Sequence, residues 1–314
     1  MDKKKYKIAL IGCGSIGKRH IRNMAHVLRK RNSEMDLTVI RSGYGKKIDD
    51  SLVPYINKVV SDQEEIEKDF DIIFVTNPTS LHYETIKKYV DYTKHMFIEK
   101  PIFHSKECCV SDISWKKNGI YYVACPMRYH EAIQWMKKNI NIDEVYGGRC
   151  ICSSYLPEWR PDSDYSKSYS AKKELGGGVS IDLIHEWDYL TYLFGMPEQM
   201  MHMQGKFSEL DIETEDLSVY IGRYANRLIE VHLDYFGRES IRNIELFMKE
   251  DTIEVDLLTG KIVYKKSKKV VELESTRDGY QIRELEAFFD MIEGKQQNFN
   301  NVHHAMEIMK LITT

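Results

Sequence analysis

The stretch Tyr6-Lys-Ile-Ala-Leu-Ile-Gly12-Cys13-Gly14-Ser15-Ile16-Gly17 decides how the rest of the chain is read. It is a short apolar strand that runs into a glycine-rich turn, and residues 16–31 that follow have helical character. Gly12, Gly14 and Gly17 stand at G-x-G-x-x-G spacing. The first glycine permits a tight turn out of the strand. The second lets the backbone approach a pyrophosphate, and the third lets the new helix pack closely on its strand. The first amides of that helix, around Ser15 and Ile16, then face the phosphates. A glycine triplet alone is weak evidence, but this one follows a strand and opens a helix.

Working outward, short apolar runs at 37–40, 58–60, 71–76, 95–98 and 120–125 alternate with helical stretches at 62–68, 80–92 and 106–117. Such alternation predicts a parallel sheet buried on both faces. Right-handed crossovers place helices on both sides, giving a doubly wound domain whose ligand crevice lies beyond the carboxyl ends of the strands. The residues just after each strand are therefore the ones to inspect. After 37–40 there is no acid to read a ribose 2'-hydroxyl; instead come Arg41, Ser42, Lys46 and Lys47. Arg41 and Ser42 can pair with a 2'-phosphate, so NADP is slightly favoured over NAD, against the alternative of a solvated basic loop. After 71–76 come Thr76, Asn77 and Pro78, with Thr79 or Ser80 as helix cap and His82 in the first turn, either at the cofactor or exposed. After 95–98 comes Glu99-Lys100-Pro101, which puts a lysine at a strand tip, its backbone restricted by the following proline.

At 314 residues the chain is long enough for two domains, since single cores stop growing beyond roughly 250 residues. The expected division is 1–125, a dinucleotide-binding domain, and 126–314, a substrate and oligomerisation domain of α+β type whose last helices can pack back on the first. A net charge of -3 argues against a nucleic-acid partner. No apolar run approaches the roughly 18 residues of a membrane span. The start, Lys3-Lys4-Lys5 before a short apolar run, fails as a secretory signal because a glycine turn follows at once. Six cysteines without C-x-x-C pairs read as reduced thiols of a cytoplasmic protein. No metal is expected: Cys150 and Cys152 share a strand face but lack partner ligands.

Beyond Pro126 an amphipathic helix is expected at 129–139. Period-two strands follow at 145–155, 199–209, 216–224, 227–235, 243–249, 252–256 and 261–265, an antiparallel meander with one covered face. Two more helices are expected at 279–293 and 302–312. Between 155 and 176 lies a loop rich in hydrogen-bonding and aromatic groups, including Tyr155, Arg160, Tyr165 and Tyr169, and long loops inside compact domains tend to be functional. Three glycines, Gly176 to Gly178, lead into a stretch carrying Asp182 and His185. On one helix these would lie about a turn apart, a pair suited to moving a proton. With Glu186 they could instead be metal ligands, although no other cluster completes such a set.

The glycine triplet, the Thr76-Asn77-Pro78…His82 stretch and Glu99-Lys100-Pro101, at matching separations, resemble the glucose-fructose oxidoreductase / inositol dehydrogenase / MocA family of NAD(P)-dependent oxidoreductases. The resemblance implies that Lys100 contacts the nicotinamide ribose and the reacting oxygen, and that Asp182 and His185 join it. It makes Arg128, at the domain junction, a candidate substrate contact, with a structural salt bridge as the competing reading. It also implies a homo-oligomer, dimer or tetramer, formed through the C-terminal sheet. The histidine stands three residues after the aspartate here rather than the family's more usual four, in a form resembling members linked to surface-polysaccharide and acidic-sugar pathways. The activity implied is hydride transfer between nicotinamide and a secondary alcohol or ketone of a sugar. Rival readings are a glycoside hydrolase that oxidises its substrate transiently with tightly held NAD, a transhydrogenating sugar oxidoreductase, and a non-catalytic dinucleotide sensor.

Overall fold

The structure is a computed structural model that describes residues 3–43 and 47–313, so Lys46 of the basic loop lies outside the described residues. The chain forms two compact units, one of Met1–Ala124 with Gln281–Glu307 and the other of Cys125–Tyr280 with Ile308–Thr314.

The first unit is built on β1 (Lys4–Ile11), β2 (Ser33–Arg41), β3 (Lys58–Ser61), β4 (Phe70–Val75), β5 (Thr93–Ile98) and β6 (Tyr121–Val123). All pairings are parallel, in the order β3-β2-β1-β4-β5-β6. The strand order reverses between β1 and β4, and such a switch point opens a crevice at the carboxyl ends of the strands. Helix α1 (Ser15–Lys30) follows β1, and α2 (His82–Tyr89) follows β4. Ile8, Leu10, Ile72, Phe74 and Phe97 are fully buried, as strands covered on both faces require.

Two expected helices are absent. Residues 62–68 form turns, because Ile66 is the one large apolar side chain in an acidic run and no stripe exists to be buried. Residues 106–117 form a single 3-10 turn at Val110–Asp112 amid irregular chain. Serine, aspartate and β-branched residues disfavour a helix there, and Trp115 Nε1 instead donates to the Val110 carbonyl at 2.9 Å. The helix expected at 80–92 is α2 framed by 3-10 turns at Thr79–Leu81 and Val90–Tyr92. Neither Thr79 nor Ser80 caps it; Pro78 occupies the cap position of the entering turn.

The second unit contains α3 (Glu131–Asn139), β7 (Val145–Tyr155), α4 (Val179–Asp182), α5 (His185–Phe194) and β8 (Gln199–Gly205). It continues with β9 (Leu217–Tyr224), β10 (Arg227–Asp234), β11 (Phe236–Met248), β12 (Thr252–Asp256), β13 (Lys261–Tyr264) and β14 (Val270–Glu272). Helices α6 (Arg277–Ile292) and α7 (Val302–Ile312) close the chain. In the first unit, the α6 residue Phe288 packs edge-on to Phe74 and Phe97, and Glu284 accepts from the Tyr122 hydroxyl at 2.9 Å.

The sheet of the second unit is mostly antiparallel, but it is not a meander. Its order is β14-β13-β12-β11-β7-β10-β9-β8, with β7 inserted between β11 and β10 and running parallel to β10. β11 begins well before the expected residue 243, because a register shift between Phe236 and Ile241 lets the strand continue through an irregularity. One face packs on α5, through Trp187 against Tyr220 and Tyr189 against Cys150. The other face leaves Met201, Met203, Ile221, Ile151 and Ile241 exposed, and Ile151 and Ile241 line a cavity of ≈ 470 Å³ together with Arg149, Ser153 and His232.

Candidate active site

In the first unit the glycine turn has the geometry its spacing predicts. Gly12 adopts φ +86°, and a Cβ there would lie 2.7 Å from the Asn77 Cα. A Cβ on Gly17 would lie 2.5 Å from the Gly12 carbonyl oxygen and 2.8 Å from Thr76 Oγ1, which itself donates to that carbonyl. A Cβ on Gly14 would meet nothing within 4 Å. Gly14 is also the N-cap of α1, it gives the helix no side-chain cap, and the first turn holds no acid. Ser15 and Ile16 thus open a helix whose first N–H groups have room beside them for an anion, the arrangement a dinucleotide pyrophosphate requires.

The tips of the neighbouring strands converge on the same end of this sheet. Asn77 Nδ2 donates to Thr85 Oγ1 at 2.7 Å, while its Oδ1 is buried without a partner among the described residues. His82 is buried, contrary to the exposed alternative. Its Nδ1 lies 3.0 Å from the Pro101 carbonyl oxygen and its Nε2 lies 3.0 Å from that of Asn77, so the ring braces two strand-tip turns against each other. Burial pushes its pKa below the usual imidazole value. The Lys100–Pro101 peptide is cis. Glu99 lies 2.5 Å from His20 Nε2 and accepts the Lys100 amide at 3.3 Å. Burial works against ionisation of Glu99, but His20 and the charge of Lys100 outweigh it and hold the carboxyl below its ordinary range. His20, three residues beyond Gly17, was not singled out in the sequence. Arg41 ends β2 half-buried, and Ser42 is exposed beside it.

In the second unit the site residues are held by side chains rather than by turns. The single helix expected to carry Asp182 and His185 is two: α4 ends at Asp182, Leu183 leaves helical geometry at ψ 24°, and α5 starts at His185. Glycine φ of +130° at Gly178 starts α4 abruptly, and a side chain there would run into the Glu215 carboxylate. Asp182 accepts from the Tyr169 hydroxyl and, at 2.5 Å, from that of Tyr235. Burial, and then the Asp182 carboxylate, push both phenols well above their ordinary pKa. Glu215 receives the Ser180 amide at 3.2 Å, and burial raises its pKa. Tyr235 lies at the bend between β10 and β11 and Glu215 lies just before β9, and no local pattern marked them.

The remaining candidates divide. Arg128 is buried, and its Nε and Nη2 donate to the two oxygens of Asp188 at 3.0 and 2.8 Å, which is the structural salt bridge of the competing reading. Tyr165 accepts the Asp211 amide, Tyr155 lies beneath the Arg238 guanidinium at 3.9 Å, and Arg160 is exposed. Glu186, adjacent to His185, is fully buried and bound by Arg242 and the Tyr189 hydroxyl. No group of three or more His, Cys, Asp or Glu residues that could hold a metal occurs among the described residues. No helix there is long and apolar enough to cross a membrane.

Residues 6–133 match the family described as oxidoreductase family, NAD-binding Rossmann fold. The uncharacterized oxidoreductase YrbE of Bacillus subtilis is 26% identical over 236 residues, which cover 70% of this chain and 65% of that protein. The 2,7-anhydro-N-acetylneuraminate hydratase of Escherichia coli is 30% identical over 141 residues, 44% of this chain. The chain thus spans 65% and 37% of the lengths of these two relatives. Among solved structures, levoglucosan dehydrogenase in complex with NADH and levoglucosan superposes with a TM-score of 0.81 at 17% identity, covering 99% of this chain and 96% of that one. The WlbA dehydrogenase of Bordetella pertussis, in complex with NADH and UDP-GlcNAcA, gives 0.74 at 16% identity, covering 99% and 95%. At these identities the likeness is one of fold. With the glycine turn, the Glu99-Lys100-Pro101 tip and the parallel sheet in place, residues 6–133 belong to the Gfo/Idh/MocA oxidoreductase family, with a Rossmann fold of the NAD-binding type.

Proposed function

We propose that the chain transfers a hydride between a nicotinamide dinucleotide and a secondary alcohol or ketone of a sugar or sugar derivative, with acidic and nucleotide-linked sugars the first to test. The observation that carries this reading is the Gly14 turn, where open space meets the uncapped first turn of α1. Gly12, Gly14, Ser15, Ile16 and Gly17 would hold the pyrophosphate, and Thr76, Asn77, Pro78, His82 and Glu99 would shape the nicotinamide side. Arg41 and Ser42 favour NADP, since no acid stands at the β2 tip to select NAD. Bound nicotinamide supplies the hydride chemistry.

The chain's own residues then divide the remaining work. Lys100 offers an ammonium to the oxygen as negative charge develops on it. His185 takes or returns the hydroxyl proton. Asp182, fixed by two phenols, is the carboxylate that supports it. Tyr155, Arg160, Tyr165 and Tyr169 form the substrate wall. Because Arg128 is engaged by Asp188, Arg160 is the stronger candidate for an anionic substrate group. The exposed apolar side chains on the outer face of the second sheet support a homo-oligomer formed through that face. All six cysteines are free, which supports a reducing, cytoplasmic setting.

A thermal-shift screen of NAD and NADP, followed by sugars in the presence of the better one, is the direct test, because a ligand that binds the native state raises its apparent stability. With the sugar in hand, Lys100→Met and His185→Ala are each expected to lower kcat by about 10²–10⁴-fold. Unchanged turnover in both would end the assignment. A second reading, transient oxidation with retained NAD, draws support from the Escherichia coli relative named as a hydratase. It predicts product formation with no net NADH released.

A further inference from the structure

The Lys100 turn is held from beneath by a residue with no part in the chemistry. His20 lies on α1, in the turn after Gly17, and is 1% exposed. Its ring is wedged between two strand side chains, with centroids 5.7 Å from Phe74 and 5.0 Å from Phe97. Nε2 lies 2.5 Å from Glu99 Oε1, and Nδ1 has no partner among the described residues. Of its two ring nitrogens only Nε2 faces a partner among the described residues, so Nε2 is the nitrogen that can donate to Glu99. The other Glu99 oxygen accepts the Lys100 amide at 3.3 Å.

We propose that His20 is a positioning residue for Lys100: by fixing one oxygen of Glu99 it leaves the other to orient the Lys100 backbone. The same bond ties the helix that opens at the glycine turn to the lysine at the tip of β5. This arrangement rests on the reading of Lys100 as a catalytic group. One rigid link thereby sets the spacing between the end of the fold that receives phosphate and the group that meets the reacting oxygen. Neither histidine nor glutamate needs to touch substrate or cofactor for this.

Three variants test it, each read by NADH binding from nicotinamide fluorescence, by steady-state kinetics, and by amide exchange of the peptide spanning 97–103. His20→Leu is expected to lower kcat on the order of 100-fold, as a small misplacement of a catalytic group does. KM for the sugar and Kd for NADH are expected to stay as in the unaltered protein, and exchange at the Lys100 amide to rise. His20→Gln keeps an N–H donor at the Nε2 position and is expected to restore most of kcat. Glu99→Gln, which can accept only one of the two N–H groups, is expected to match His20→Leu in kcat and in exchange at the Lys100 amide, and it carries the test through that exchange if the leucine variant does not fold. The proposal is overturned if kcat falls only in step with weaker NADH binding, if glutamine gives no rescue, or if exchange at Lys100 is unchanged. If the unaltered protein binds NADH but turns over no sugar, the functional reading fails, and the exchange measurement still decides whether His20 holds the turn.

Discussion

The two units hold their candidate site residues in opposite ways. In the first, position comes from the backbone: Gly12 at φ +86°, the close approach of Gly17 to Gly12, and the strand tips of a parallel sheet. In the second, position comes from side chains reaching across the fold. Tyr235, 53 residues away in sequence, grips Asp182, and Asp188 grips Arg128 across 60. Backbone devices leave local marks in a sequence, whereas side-chain networks do not. The first unit should therefore be sensitive to added atoms and the second to removed ones.

The largest expected effect on stability comes from breaking a network. Asp188→Ala leaves the Arg128 guanidinium buried without its carboxylate and should cost about 3–5 kcal/mol, read as a fall in the denaturation midpoint. Tyr235→Phe removes one hydrogen bond to a charged partner and should cost about 1.5–3 kcal/mol. In the first unit, Gly12→Ala forces a side chain into a left-handed backbone and against Asn77, for about 1–3 kcal/mol or more, with dinucleotide binding lost. Gly14→Ala is the sharper probe, because its Cβ meets no protein atom. It should melt like the unaltered protein while binding NAD or NADP far more weakly, and equal binding would mean that the open space is not the phosphate site.

The smallest effect is electrostatic. The folded-state pKa of Glu99 is depressed, so its contribution is present above its ordinary value near 4.5 and is lost as pH falls through the lower folded value. The stability difference between the unaltered protein and Glu99→Gln should therefore narrow below about pH 4.5 and stay constant at neutral pH.

This contrast also explains what could be read without a structure. The doubly wound sheet and its strand tips were legible because apolar runs, glycines and a proline act within a few residues of where they stand. β7, β12 and α7 matched their expected limits. The helix expected at 106–117 did not form, since its apolar residues satisfy a helical period only if its serines and aspartate are ignored. His82 read as a first-turn residue with an open fate, and only its distances to the Pro101 and Asn77 carbonyls show it to be a brace. Arg128 offered two readings, and Asp188, on an element far along the chain, supplies the structural one. Glu215 and Tyr235 stayed invisible because nothing near them in sequence announces the carboxylate and amide they serve.

The break between α4 and α5 has a consequence for what sets the spacing of the residues on either side of it. Asp182 is moored by Tyr169 and Tyr235, and Glu186, next to His185, is moored by Arg242 and Tyr189. Leu183 and Ile184 between them form a joint that no regular hydrogen-bond ladder crosses. A joint anchored at both ends can gain or lose a residue without unseating either anchor. The separation of the Asp182 carboxylate from the His185 imidazole is thus set by the joint rather than by the pitch of one continuous helix.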